Sequence, residues 1–413
     1  MKTVALPLGG MSPLGPHYAN RANHLTGSLI DASTGLLASQ THDVIRLAMG
    51  SPASDAVPVG IIADLLALVV AERPAPFDYV PTEGEPGLRA ELSRFLANNG
   101  SAISQDEFLI TTGGMQGLDL VFKLFVGAGD LVAVESPTYT NGTATIASYE
   151  GDILEVPMDA EGLDVEALAA LVEESGRAPK MIYTIPTFQN PSGTTLSLSR
   201  RRRLIDLAEK WDAIIVEDDP YSLLRFEGDP LPGLRELSSG RVRVIAVHTF
   251  SKILVPGLRV GWIIAEPEII ALMVKARQAM DTCTNTLQQR LVARFLGEGY
   301  MEKHLVKVRE EYRHRKEVMQ LGLVEEFSEF EVSWTDPQGG FFLWLTLPKR
   351  VDTSDLLAEA VRGGVAFIPG SVFSVSGRFP NALRLAFSAE SPSRAREGLH
   401  RLGQVLAPQL RLQ

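Results

Sequence analysis

A chain of 413 residues, 45% of them hydrophobic, exceeds one typical domain, so a large core with a smaller second unit is the default expectation. A formal net charge of −11 argues against nucleic acid as the main partner, because phosphate backbones call for a surplus of Lys and Arg. The single cysteine, Cys283, excludes a disulfide framework within the chain, fits a reducing cytosol and reads as a small buried hydrophobe.

The N-terminal run MKTVALPLGGMSPLG is too short and too broken in its apolar part for a signal peptide. The longest apolar stretch, Ile61 to Val70, contains Asp64 and is too short to span a bilayer, so no membrane partner and a cytoplasmic location are expected. Residues 1–58 read as an arm, rich at first in Gly, Ser, Thr, Asn and Pro and ending in the turn-forming run Leu47–Pro58. Helices are predicted over 59–72 and 86–98, the second with Leu88, Leu92, Phe95 and Leu96 on one face. From about residue 108 short apolar strands alternate with helices. The strands are Phe108–Thr111, Leu131–Glu135, Ile153–Val156, Met181–Ile185, Ala213–Glu217, Val244–His248 and Val260–Ala265, with helices at 116–126, 164–174 and 199–210. This alternation predicts an α/β unit over 59–286 built on a mostly parallel seven-stranded sheet covered on both faces. The Arg200–Arg203 run at a helix start reads as a solvated face. Residues 287–413 read as a smaller α+β unit. It opens with one charged helical stretch over about 287–320. Strands follow near 340–347, 365–368 and 382–388, with helices starting near Asp352 and after Pro392.

There is no Walker A sequence, no G-x-G-x-x-G after the first strand and no close pair of histidine ligands, so no metal site is expected. Instead, polar residues gather at the C-terminal ends of predicted strands, where open α/β sheets bind ligands. Thr111-Thr112-Gly113-Gly114-Met115-Gln116 follows a strand and opens a helix whose free amides suit a phosphate. Pro186-Thr187-Phe188-Gln189-Asn190-Pro191-Ser192-Gly193, taken alone, is a rigid turn. The acidic end Glu217-Asp218-Asp219-Pro220-Tyr221 alone is a cap or a solvated cluster. Lys252, in Thr249-Phe250-Ser251-Lys252, would alone be a surface lysine, and Arg259 follows it by seven residues.

The order Asn-Pro-x-Gly, Asp-x-x-Tyr, Ser-Lys with a trailing Arg resembles the fold-type I enzymes dependent on pyridoxal 5′-phosphate (PLP). Within them it resembles class I/II aminotransferases, nearest the branch of 2-aminoadipate and kynurenine aminotransferases and the aminotransferase half of MocR-type regulators. The resemblance runs from about Leu47 to Ser388. It implies PLP as a Schiff base on Lys252, a pyridine nitrogen held by Asp218, and a 3-oxygen bonded by Asn190 and Tyr221. It implies a phosphate met by the Gly114 and Met115 amides, Thr249 or Ser251, and Arg259, with Tyr139 stacked on the ring. Tyr79 would reach the phosphate of a neighbouring subunit in a homodimer with shared sites, to whose contacts and to the small unit the arm would contribute. Arg384 would clamp the substrate carboxylate, with Gly50 and Asn190 beside it. In Leu383-Arg384-Leu385-Ala386-Phe387-Ser388, alternation puts Arg384 with Ala386 and Ser388 on a face of small residues that leaves room for a ligand. Gly114-Met115 stands where relatives commonly carry Ser-Gln, so a hydroxyl toward the phosphate is missing. The implied activity is transfer of the amino group of an α-amino acid to a 2-oxo acid. Elimination, replacement or decarboxylation on the same scaffold is the alternative. A MocR-type regulator is disfavoured, because the stretch before the resemblance is short and not basic.

Overall fold

The computed structural model describes residues 17–27 and 40–411. The part of the expected arm at 1–16 and 28–39 lies outside the described residues. In chain order, β1 is Ile45–Arg46, β2 Phe108–Thr111, β3 Leu131–Ser136, β4 Asp152–Asp159 and β5 Gly162–Leu163. Then come β6 Met181–Thr184, β7 Ile214–Asp218, β8 Val244–Thr249 and β9 Gly261–Ile264. The large sheet runs β2-β9-β8-β7-β6-β3-β4-β5. It contains the seven expected strands plus the two-residue β5, which forms a hairpin with β4. Strands β8, β7, β6, β3 and β4 are mutually parallel, whereas β9 is antiparallel to both its neighbours.

The continuous apolar character of these strands follows from burial on both faces. Leu109, Val134, Tyr183, Val216 and Val247 face one layer, packed with the helices Gly114–Phe125 and Pro267–Gln278. Ala133, Ile182, Ile215 and Val244 face the other, packed with Val165–Ser175 and Leu198–Trp211. Since β3, β6, β7 and β8 are parallel neighbours, their carboxyl ends lie side by side along one edge of the sheet. The segments leaving that edge carry the polar motifs.

The second unit is a four-stranded antiparallel sheet in the order β10 (Ser333–Trp334), β11 (Phe342–Thr346), β14 (Ala382–Ala386), β13 (Ile368–Pro369). The strand expected over 365–368 is split, because β12 (Val365–Ala366) leaves to pair in parallel with β1. Ile45 and Leu47 are fully buried by this docking, and Ala386 N–H donates to Leu47 O. The helical stretch expected from 287 to 320 is two helices, Thr286–Gly297 and Tyr300–Phe327. The break falls at Gly299, whose φ of 70° suits a glycine cap and not a helix interior. The first helix packs against Val59–Ala71 and Pro86–Asn98, and the second against the closing helix Pro392–Leu410.

Two readings need correction. Cys283 is partly exposed, not buried. Arg201 is not on a solvated face: it is 1% exposed and donates to Leu196 O, Pro232 O, Pro186 O and Thr187 Oγ1 at 2.7–3.0 Å. A guanidinium fork can be buried where carbonyls take its donors, and here it props the loop after β6 from below. Its neighbours Arg202 and Arg203 do face outward, Arg203 paired with Glu166, while Arg200 is largely covered and donates to Asp159, Gly162 O and Leu163 O.

Candidate active site

One cavity of about 260 Å³ opens at the shared strand edge. Gly50, Gly114, Met115, Tyr139, Asn190, Asp218, Tyr221, Thr249, Ser251, Lys252, Arg259 and Arg384 all line it. Residues spread over more than 330 positions of chain thus meet at one point. Tyr79 stands apart, 82% exposed, in the loop after the turn Ala75–Phe77.

Lys252 sits in the single turn Phe250–Ile253 directly after β8. Its Nζ donates to Gly50 O at 2.8 Å. Burial, helped by the positive charges of Arg384 and Arg259 and opposed by Asp218, lowers its pKa to about 8. Beside it the helix Gly114–Phe125 points its N-terminus at the cavity, preceded by Gly113 at φ 78°. A Cβ on Gly113 would lie 2.6 Å from Arg259 Nη2, so the guanidinium rests on the glycine backbone. Arg259 also donates to Ser251 Oγ (3.3 Å), and Thr249 Oγ1 donates to the same oxygen (3.0 Å). Helix amides, two hydroxyls and an arginine therefore converge on one corner, which is a set of donors for an anion.

Asp218 ends β7, 7% exposed, and lines the same cavity. Tyr183 Oη donates to its Oδ2 at 2.8 Å. Burial raises the Asp218 pKa to about 7, the tyrosine hydrogen bond pulls it down, and Asp219 and Glu135 push it up. A carboxylate this buried is stabilised by a cation, and a protonated ring nitrogen is one. Tyr221 is buried edge-on against Phe341 and Phe342 (ring centroids 5.5 and 5.8 Å), and burial pushes its phenol well above its ordinary value, so it remains a neutral donor.

Arg384 lies on β14 between β11 and β13, paired with Trp344 and Ile368. The face expected to hold only small residues is flanked by aromatic rings. The guanidinium carbon lies 4.3 Å from the Phe342 centroid and 5.1 Å from that of Phe373. Nη1 donates to Asn190 Oδ1 (2.8 Å) and Nη2 to Ala48 O (2.7 Å), while Nε is buried with no partner. Burial lowers its pKa to about 10, and the groups that favour its charge are phenols, Tyr221 and Tyr139. An arginine buried with no carboxylate partner among the described residues, and with its Nε unbonded, fits an anionic ligand.

The residues present therefore fit the expected cofactor at three points: a donor cradle for phosphate, a buried carboxylate for the ring nitrogen and a buried lysine between them. Sequence reasoning missed Tyr183, which sits in mid-strand and looked like core. It also missed Phe342 and Phe373, which hold Arg384, and Asn141, which lines the cavity from the helix Thr140–Ser148. The period-two pattern could signal only that Tyr183 is buried, not that its hydroxyl meets Asp218.

Comparison with known proteins agrees with this geometry. The family model for aminotransferase class I and II matches residues 42–402. The chain is 39% identical over 377 residues to the aromatic-amino-acid aminotransferase 1 of Thermococcus litoralis, covering 90% of each. The crystal structure of the Pyrococcus horikoshii kynurenine aminotransferase, a complex with PMP, superposes with a TM-score of 0.89 at 37% identity, over 96% of this chain and 98% of that one. The α-aminoadipate aminotransferase LysN of Thermus thermophilus, complexed with N-(5′-phosphopyridoxyl)-L-leucine, gives 0.88 at 34% identity over 95% and 98%.

Proposed function

The chain belongs to the class I and II aminotransferases, and from that premise we propose that Lys252, Asp218, Tyr221, Asn190 and Arg384 are the residues that carry its reaction. The enzyme is PLP-dependent and moves the amino group of an α-amino acid to a 2-oxo acid in two half-reactions. The observation that supports these roles best is the buried Arg384, with no carboxylate partner among the described residues, lining one cavity with the donor cradle at Gly114 and Arg259. A substrate with a carboxylate on the carbon that bears its amine would span from Arg384 to Lys252.

When bound, PLP supplies an aldehyde carbon for the amino group and a ring that draws electrons from the Cα bonds. Asp218 would hold a proton on the ring nitrogen, steadied by the Tyr183 hydroxyl. Tyr221 and the Asn190 amide would hold the 3-oxygen. The Gly114 and Met115 amides, Thr249, Ser251 and Arg259 would hold the phosphate, with the Tyr139 ring beside the pyridine. Lys252 Nζ, its neutral form favoured by burial, would move the proton at the substrate Cα. Gly50 and Asn190 flank the carboxylate that Arg384 grips, and closure of the small unit around it excludes water.

Asp218→Asn should keep the fold and bound cofactor yet lower kcat by roughly 10²-fold or more, because an amide cannot hold a charged ring nitrogen as a carboxylate does. Steady-state kinetics on the holoenzyme decide this; wild-type turnover would transfer the role to Asp219.

We further place the enzyme in a homodimer in the cytoplasm, for which the lone cysteine is the compositional support. The exposed Val59, Leu68, Phe77 and Tyr79 offer apolar surface in one segment, and Tyr79 would cross to the phosphate site of the second protomer. If so, mixing Lys252→Ala with Tyr79→Ala subunits should regain roughly a quarter of wild-type activity, because each mixed dimer has one intact site. Absence of complementation, or sedimentation as an active monomer, would refute the shared site.

A further inference from the structure

Glu135, at the end of β3, is a buried carboxylate that none of the roles above employs. It is 1% exposed and accepts hydrogen bonds from three groups. Thr184 Oγ1 donates to it at 2.5 Å, the Ile185 N–H to both oxygens at 3.2 Å, and Gln189 Nε2 at 3.0 Å. Thr184 and Ile185 are the end of β6, and Gln189 directly precedes Asn190. Gln189 extends the linkage. Its Nε2 also donates to Pro137 O (2.8 Å), and its Oε1 accepts from Ser192 N–H (2.9 Å) and Ser192 Oγ (2.7 Å). Two residues beyond Pro137 is Tyr139, and Thr138 N–H donates to Phe373 O (2.9 Å), beneath Arg384.

Resting on the PLP reading above, we propose that Glu135 is a positioning residue for the cofactor. Through Gln189 it clamps the segment carrying Tyr139 to the loop carrying Asn190, and so sets the ring-stacking group and the 3-oxygen donor relative to each other. Glutamate suits the task because its two oxygens accept from three groups at once, whereas a methionine of similar size would offer none of them a comparable acceptor. Leaving such a donor unsatisfied in a buried site costs more than the bond itself. Arg201 braces the loop from the other side, at Pro186 O and Thr187, but reaches neither Asn190 nor Pro137. The Glu135–Gln189 bond, beside the Gln189–Pro137 O bond that it orients, thus ties the two cofactor-facing segments together.

The test uses the purified 413-residue chain, titrated with PLP, with Glu135→Met removing the carboxylate acceptor and Gln189→Met removing the whole link, its bond to Pro137 O included. Both should raise the PLP dissociation constant by at least about tenfold. Both should also change, in the same sense, the visible circular dichroism of the bound cofactor, which reports how the ring sits. Far-UV circular dichroism and borohydride labelling of Lys252 should persist in both. Wild-type affinity and visible dichroism in both variants would overturn the proposal, as would opposite dichroism changes, which would mean that the charge and not the link matters. If Glu135→Met fails to fold, Gln189→Met tests the whole link by the same two readings, and wild-type values in it would overturn the proposal. Absence of labelling at Lys252 in the wild-type protein would remove the PLP reading itself, and this inference with it.

Discussion

Lys252→Ala should lower transamination by at least roughly 10³-fold, since it removes both the amine that binds the cofactor and the group that moves the Cα proton. Some PLP should remain, because the donors of the Gly114 amide, Thr249, Ser251 and Arg259 do not depend on Nζ. Borohydride followed by peptide mass mapping should find phosphopyridoxyl on Lys252 in wild type and on no residue in the variant. The lowered pKa adds a pH arm. Burial stabilises the neutral amine, and a fall from 10.5 to about 8 raises the neutral fraction at pH 7 by roughly two orders of magnitude. The rate of covalent attachment to cofactor-free wild type should therefore climb from pH 6 to 8 and level off above 8. An ordinary lysine would still be accelerating at pH 10. Stopped-flow absorbance across that range distinguishes the two, and a labelled or active Lys252→Ala protein would sink the assignment.

Arg384→Lys should lower kcat/KM for α-amino acids by roughly 10²–10³-fold while hardly affecting amines that lack a carboxylate. The structure explains why the change is not conservative. The guanidinium fork spends Nη1 on Asn190 and Nη2 on Ala48 O, and the plane is held between the rings of Phe342 and Phe373. An ammonium has no plane to stack and no fork for a carboxylate. It would also abandon Asn190 Oδ1, so a smaller loss of cofactor affinity should accompany the kinetic defect. Parallel assays with an α-amino acid and its decarboxylated amine read the ratio directly. Equal losses for both would remove Arg384 from carboxylate binding.

Much of the large unit was legible before any coordinates. All seven expected strands of the main sheet exist, because strands buried on both faces write continuous apolar runs that local reading detects. Lys252, Asp218, Asn190 and Arg259 could be singled out only through the order of their motifs, which resembles that of a known family; taken alone, their segments read as a turn, a cap or a surface residue. The short helix Thr140–Ser148 was not anticipated, its composition of Thr, Ala, Gly and Asn offering little periodicity.

Local pattern reports that a side chain is buried but not whom it meets, and the tertiary structure decided the rest. Arg201 looked solvated within a run of four arginines, yet four oxygens from three separate segments take its donors. Tyr183 and Glu135 looked like strand residues, and only the order β7-β6-β3 brings one to Asp218 and the other to Gln189. The arm's Ala48 lies 336 positions from Arg384, and the contact exists because β1 docks beside β12 in the small unit. Amino-acid order by itself determined which elements form and which polar groups stand at strand ends, since hydrophobic periodicity acts within a few residues. Which of those groups share a hydrogen bond depended on sheet order and on the packing of one unit against the other, and those are set by the burial of the whole chain at once.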